Sequence, residues 1–153
     1  MAILAAERSI PRSGPNPATG VPALVNLLVK TGMTIFKGSL VATDATGYAI
    51  AGAGIAATGL KIWGVALKTI VSGAAASGTF NVDVQAGDFT FTNLGGDPVL
   101  QTDIGISVFA DDDQTIRKTS ATSTRSNAGQ FRGFDAVTGL PIVRVGNFSV
   151  TGV

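Results

Sequence analysis

The chain has 153 residues, a net charge of +1, 14% charged residues, and neither cysteine nor histidine. That length fits one domain with a real core and no disulfide or metal staple. The two missing residue types remove thiol chemistry, Cys-based zinc sites, a Ser-His-Asp triad and the commonest general base, and the near-neutral balance lacks the clustered basic face of a nucleic-acid binder. Nine of the ten acids are aspartate, a turn residue, while glutamate, a helix residue, occurs once. With abundant Gly, Thr and Val this composition predicts a mostly β fold.

Residues 1–22 stand apart. Four of the six prolines fall there, Pro11, Pro15, Pro17 and Pro22, and no period of 2 or 3.6 is sustained. Proline fixes φ, removes a donor and biases its predecessor to extended structure. The segment is therefore an extended arm or a loose tail that orders on a partner. Ile3, Leu4 and Ile10 are its apolar candidates for docking. MAILAAERSIPR has no basic region before its apolar run and does not read as a secretory signal.

From residue 23 to 153 the chain reads as a single β domain. Val21–Lys30 suits either a strand over Val25–Lys30 or a helix with Leu24, Leu27 and Leu28 on one face. Further strands are expected at Ser39–Thr43, Tyr48–Ile50, Ile62–Leu67, Thr79–Gln85, Phe89–Thr92, Ser107–Ala110, Thr115–Thr119, Gln130–Phe134 and Ile142–Val145. Turn signals separate them every 8–12 residues or so, at Asp44–Gly47, Ala86–Asp88 and Thr138-Gly139, which predicts a small antiparallel β-barrel or sandwich. Leu100–Ile106 has room for one helical turn. Thr119–Ala128 is a polar loop or edge.

Several stretches invite a chemical reading. Val108–Thr119, VFADDDQTIRKT, carries three adjacent aspartates. Strand, acidic turn, strand is the simplest account, because a calcium loop needs a spaced ligand series and a distal Glu. The one Glu is Glu7, in the arm. Gly52–Ala57 has the G-x-G-x-x-A spacing of a dinucleotide loop, but a strand-like segment follows where a helix is required, and no acid follows about 20 residues on. Ile50–Leu67 contains four glycines, Thr58 and Lys61 and is not a membrane span. Asn147-Phe148-Ser149 matches a glycosylation acceptor by chance. Arg117, Lys118, Arg125 and Arg132 form a loose basic zone that meets an acidic partner or protects a sheet edge. Trp63, Tyr48, Phe89 and Phe91 are assigned to the core. No catalytic set, metal site or cofactor site is expected.

The order of the segments resembles the capsid decoration, or cement, proteins of tailed bacteriophages. Gly32–Val41 (GMTIFKGSLV) is similar to their G-d-x-i-x-x-G-x-l-V opening, with Met33 where that pattern has an acid. Gly47-Tyr48-Ala49 resembles their G-x-a hairpin, and Trp63-Gly64-Val65-Ala66 their f-x-G-v-a strand, one residue shorter before the glycine. Val82–Phe91 resembles V-x-x-x-G-x-f, Gly105–Asp112 resembles l-G-x-x-v-y-x-d-d, and Thr115-Ile116 the t-v that follows. Ala128-Gly129 with Ile142–Val145 resembles a-G … v-x-V. The resemblance implies a non-enzymatic structural protein of the virion, made in the host cytoplasm. It would sit as a homotrimer on the outer surface of the expanded head. Its partner is the major capsid protein, with no nucleic acid and no membrane involved. The arm residues Ile3, Leu4, Ile10, Pro11, Pro15 and Pro17 are then candidate capsid contacts. A carbohydrate- or host-surface-binding β module of a head or tail appendage is the alternative; exposed aromatics beside a shallow groove would favour it.

Overall fold

A computed structural model of the chain describes Leu4, Ala6, Glu7 and residues 23–146. Ile3, Ile10, Pro11, Pro15 and Pro17 lie outside the described residues, as does Asn147-Phe148-Ser149. The fold expected from composition and turn spacing forms. Ten strands share one sheet that curls into a half-barrel, and two more make a separate ribbon. In chain order they are β1 (Ala23–Leu28), β2 (Thr34–Ile35), β3 (Leu40–Thr43), β4 (Ala49–Ile50), β5 (Lys61–Ala66), β6 (Ile70–Val71), β7 (Asn81–Thr90), β8 (Thr92–Asn93), β9 (Ser107–Ala110), β10 (Thr115–Arg117), β11 (Asn127–Phe134) and β12 (Pro141–Val145). The sheet runs β4-β3-β5-β7-β12-β11-β9-β10-β8, with β1 also on β7, and β2 pairs β6. All of these pairs are antiparallel except β8 with β10.

Strand β7 is the spine. Its first half pairs with β1 on one side and β5 on the other. Its second half, from Gly87 to Thr90, pairs with β12. A turn was expected at Ala86-Gly87-Asp88; instead one ten-residue strand runs through. Local turn propensity loses to tertiary pairing here. Gly87 sits at φ 151°, which lets the strand change partners without ending. Asp88 is fixed across the ladder by Arg144, whose guanidinium donates to both carboxylate oxygens at 2.8 and 3.1 Å. β1 resolves the open choice at Val21–Lys30 in favour of a strand: Leu24, Asn26 and Leu28 are exposed while Val25 and Leu27 are half-buried, a period of 2.

The sheet buries both faces of its β3–β5–β7 half. Leu40, Ala42, Ile62 and Val65 join Phe89, Phe91, Val108, Ile116, Phe131, Val143 and Val145 in the larger core, inside the half-barrel. Val41, Ala66, Val82 and Val84 point to the other face, where Val29, Ile35 and Ala49 complete a second core. In β5 the inward residues are Ile62 and Val65, three apart rather than two. The register explains this: Val41 lies opposite Gly64 and Ala42 opposite Ile62, so Trp63 is the extra residue of a β-bulge. Phe89 and Phe91 are core, as expected. Trp63 and Tyr48, also assigned to the core, are only half-buried. The bulge turns Trp63 onto the second core, where its indole N–H donates to Thr43 Oγ1 at 2.8 Å.

Backbones approach most closely at Gly129 of β11. A Cβ there would lie 1.9 Å from the Arg144 carbonyl oxygen, and φ is 146°. Gly95 has open space around it and no positive φ. Gly129→Ala is predicted to cost about 2–5 kcal/mol in denaturant unfolding, through overpacking and backbone strain. Gly95→Ala is predicted to change stability by no more than about 0.5 kcal/mol. Equal midpoints for the two variants would contradict this register.

Candidate functional site

The hairpin expected at VFADDDQTIRKT forms: Ile116 pairs with Ala110 and Arg117 with Phe109. The amides of Asp111 and Asp112 both donate to the Thr115 carbonyl, at 2.9 and 3.4 Å. Asp112 Oδ1 accepts the Gln114 N–H at 2.9 Å, the local bond that makes aspartate a turn former. The turn is not a solvent-facing tip. Asp111, Asp112 and Asp113 are only 7%, 0% and 1% exposed. Burial of a carboxylate is tolerated only where charge or hydrogen-bond partners replace water. Each of the three is supplied by a different part of the chain.

Asp111 is supplied by the basic zone. Arg117 Nη1 reaches its Oδ1 at 2.9 Å, and Arg125 Nε lies 3.4 Å from the same oxygen. Arg117 also donates from Nε to Asp97 at 3.0 Å, bridging two acids. Lys118 pairs with Asp103 at 3.0 Å. Three of the four candidate cations thus have acid partners inside the chain. Arg117 lies on β10, which has strands on both sides. Only Arg132 stands exposed on β11, where it donates to Gln130 Oε1 at 2.9 Å. The strand expected to run to Thr119 stops at Arg117. The amide of Lys118 turns to the Asp97 carbonyl, and the amide and hydroxyl of Thr119 to its carboxylate.

Asp113 is supplied by backbone. Its Oδ1 accepts the Leu4 N–H at 2.8 Å, and its Oδ2 accepts the Gly52 N–H at 3.2 Å. Leu4 is 8% exposed, so the arm's candidate anchor is seated on this domain itself. A second tie lies at Glu7, whose carboxylate accepts the Thr69 hydroxyl at 2.5 Å. Gly52 opens a single 3-10 turn, Gly52–Ile55, in place of the α-helix that a dinucleotide loop requires. A second 3-10 turn, Gln101–Asp103, supplies the helical turn expected within Leu100–Ile106.

These environments push the acids in opposite directions. Burial alone would raise Asp97, but the hydroxyl and N–H of Thr119 and the Arg117 guanidinium hold it below the usual carboxylate range. The Leu100 N–H, then Lys118, lowers Asp103. Both acids stabilise the fold above the ordinary carboxylate range, and that contribution is lost as pH falls. Asp113 runs the other way: burial and the neighbouring Asp112 charge raise it, against the pull of the Leu4 and Gly52 amides. Its contribution is full at low pH and fades as pH rises through its folded value.

A groove of about 430 Å³ opens elsewhere, lined by Lys61, Ile62, Trp63, Asn127, Gly129 and Gly146 among others. Among the described residues no group of three or more acids is placed to hold a metal ion, and no helix is long and apolar enough to cross a membrane. Asp97, Asp113 and Gly52 went unremarked as a set in the sequence. Their only local signal is turn chemistry, as in Gly95-Gly96-Asp97-Pro98. No protein-family model, curated protein or solved structure matches this chain.

The seat at Asp113 has a direct readout. Leu4→Pro removes the N–H donated to Oδ1, and a donor to the ionised form lowers a carboxyl pKa. Carboxyl-carbon NMR is therefore predicted to show the Asp113 midpoint moving further up in that variant, with Asp103 unmoved. An unchanged Asp113 midpoint would mean that Leu4 does not sit there in solution.

Proposed function

We propose that this chain is a non-enzymatic capsid decoration protein. It binds the outer surface of an expanded phage head and clamps neighbouring major capsid subunits against the pressure of packaged DNA. The observation that supports this reading is the order of the motifs shared with those proteins. Gly32–Val41 covers β2 of the ribbon and the start of β3 of the half-barrel, Gly47-Tyr48-Ala49 falls on the β3–β4 hairpin and Trp63–Ala66 on β5. Val82–Phe91 covers β7, Gly105–Asp112 covers β9 and its acid turn, and Ile142–Val145 falls on β12. The ion pairs around Asp111 and Asp97 suit a body that carries load rather than one that moves protons. Binding only the assembled shell stabilises that shell by mass action, and many copies on one lattice, as trimers at three-fold positions, add avidity.

In this reading the arm, residues 1–22, lies across a neighbouring subunit. The segment 8–22 runs between Glu7, tied to Thr69, and Ala23, where β1 begins. Ile10, Pro11, Pro15 and Pro17 fall in that connection and are its contacts to a neighbouring subunit. The prolines pre-extend it and lower its ordering cost. Ile3 joins them, as does Leu4, whose N–H also ties the arm to Asp113 of its own domain.

A groove beside Trp63 is the one observation that favours the alternative, a carbohydrate-binding module. The engagement of the indole with Thr43 and the second core weighs against it. Oligosaccharide titration with Trp63 fluorescence separates the two, and a saturable shift would favour the sugar reading.

Co-sedimentation with phage heads tests the proposal. Selective binding to expanded over unexpanded heads is expected, with weaker occupancy for a chain lacking residues 1–22. Equal sedimentation with both forms, or with neither, would overturn the reading.

A further inference from the structure

The β11–β12 hairpin carries unlike features at its two ends. At one end is the turn Asp135–Gly139 that joins the strands. The Asp135 N–H donates to the Leu140 carbonyl and the Gly139 N–H to the Asp135 carbonyl, both at 2.8 Å. Asp135 Oδ2 accepts the N–H and the hydroxyl of Thr138, at 2.8 and 2.7 Å. Those bonds, with Gly139 at φ 72°, fix the turn without help from a core. Val137 stands at its apex, 92% exposed, the most exposed of the large apolar residues described. Its branched side chain has little rotamer freedom to lose on contact. At the other end of the hairpin lies the groove of about 430 Å³. Ile62 and Ala128 are its buried lining, Leu60 and Trp63 are half-buried, and Lys61 and Asn127 are exposed.

We propose that the Val137 turn of one copy of the chain seats in the Trp63 groove of a second copy, head to tail. The turn cannot reach the groove of its own chain. Gly129 lines the groove and pairs with Val145, while Phe134 flanks the turn and pairs with Pro141. The strand between Gly129 and Phe134 holds the two ends roughly 17 Å apart. Charge favours the match. Asp135 gives the turn a fixed negative charge, because the Thr138 hydroxyl and N–H hold its carboxyl below the usual range. Lys61, on the groove, takes part in none of the ion pairs among the described residues. The nearest cation to the turn on its own strand, Arg132, is directed to Gln130 Oε1 at 2.9 Å. Asn127 offers both a donor and an acceptor to the backbone of an incoming turn. One turn in one groove is small against the roughly 1,200–2,000 Å² of a standard interface, so the contact depends on concentration and gains from any surface that holds copies close. It joins two unlike patches and is therefore heterologous, the kind of contact from which a ring of copies is built. It goes beyond the capsid reading and does not depend on it.

The chain has no cysteine and one tryptophan, so both partners can be followed without background. A thiol on the turn and one beside the groove come within disulfide reach only when the turn is seated. The full chain is oxidised mildly at about 1 mM, a concentration that populates even a millimolar contact. Val137→Cys mixed equally with Asn127→Cys, or with Lys61→Cys, is expected to give a covalent dimer. Each variant alone is expected to stay monomeric. All three side chains are exposed, and circular dichroism checks that each variant is folded. Trp63 emission of the unmodified chain is expected to shift with chain concentration. Val137→Asp is expected to abolish that shift, Lys61→Glu to weaken it, and Val137→Leu to keep it. Equal cross-linking in the single variants and the mixtures would mean random collision. No cross-linking in either mixture would mean that the groove does not take the turn and is filled by another segment or another ligand. Either result overturns the proposal and leaves the capsid reading, which binding to expanded heads decides, untouched.

Discussion

Burying three adjacent carboxylates is the constraint around which the open end of this half-barrel is arranged. Each needs partners, and the chain supplies them from segments far apart in sequence. Asp111 draws in the 119–126 loop through Arg125 and, by way of Arg117, the 94–106 loop through Asp97. Asp112 closes its own turn onto Gln114. Asp113 collects the 3-10 turn at Gly52 and the arm at Leu4, while its carbonyl accepts the Leu40 N–H at the start of β3. Remove one partner of such a set and an uncompensated charge is left in low dielectric, which costs more than the contact itself contributed.

The same arrangement shapes what the surface offers. Of the cations that the sequence presents as a basic zone, Arg117, Lys118 and Arg125 are paired with acids inside the chain. The acids, in turn, accept from backbone amides and guanidiniums instead of facing one another across a cleft. Among the described residues the surface also carries exposed Arg132 and a groove beside the β5 bulge. Those features suit a protein that works by fitting against other surfaces.

Much of the architecture is legible in the sequence because it is local. Ser107–Ala110 matches β9 to the residue, and the observed Leu40–Thr43 and Pro141–Val145 lie within one residue of the expected Ser39–Thr43 and Ile142–Val145. Asp44 and Gly47 close a turn as their chemistry dictates, with the Gly47 N–H on the Asp44 carbonyl. The Lys30 ammonium and the Thr46 hydroxyl hold the Asp44 carboxyl down at about 2. The errors are tertiary. Gly87 reads as a turn because nothing local announces that β12 will pair with it. The basic zone reads as surface because Asp97 lies some 20 residues upstream of Arg117 and gives only a turn signal. The tie between Leu4 and Asp113 is not visible in the sequence because the two lie 109 residues apart.

The account rests most heavily on the acid turn being structural, and thermal unfolding with and without calcium tests that directly. Asp111→Ala takes an acceptor from Arg117 and the nearby charge from Arg125, while Arg117 keeps Asp97, so a loss of about 2–3 kcal/mol is expected. Neither calcium nor a chelator should shift the transition of the native chain or of the variant. A native transition that rises with calcium, and stops doing so in Asp111→Ala, would contradict the account and restore the triplet as a metal site.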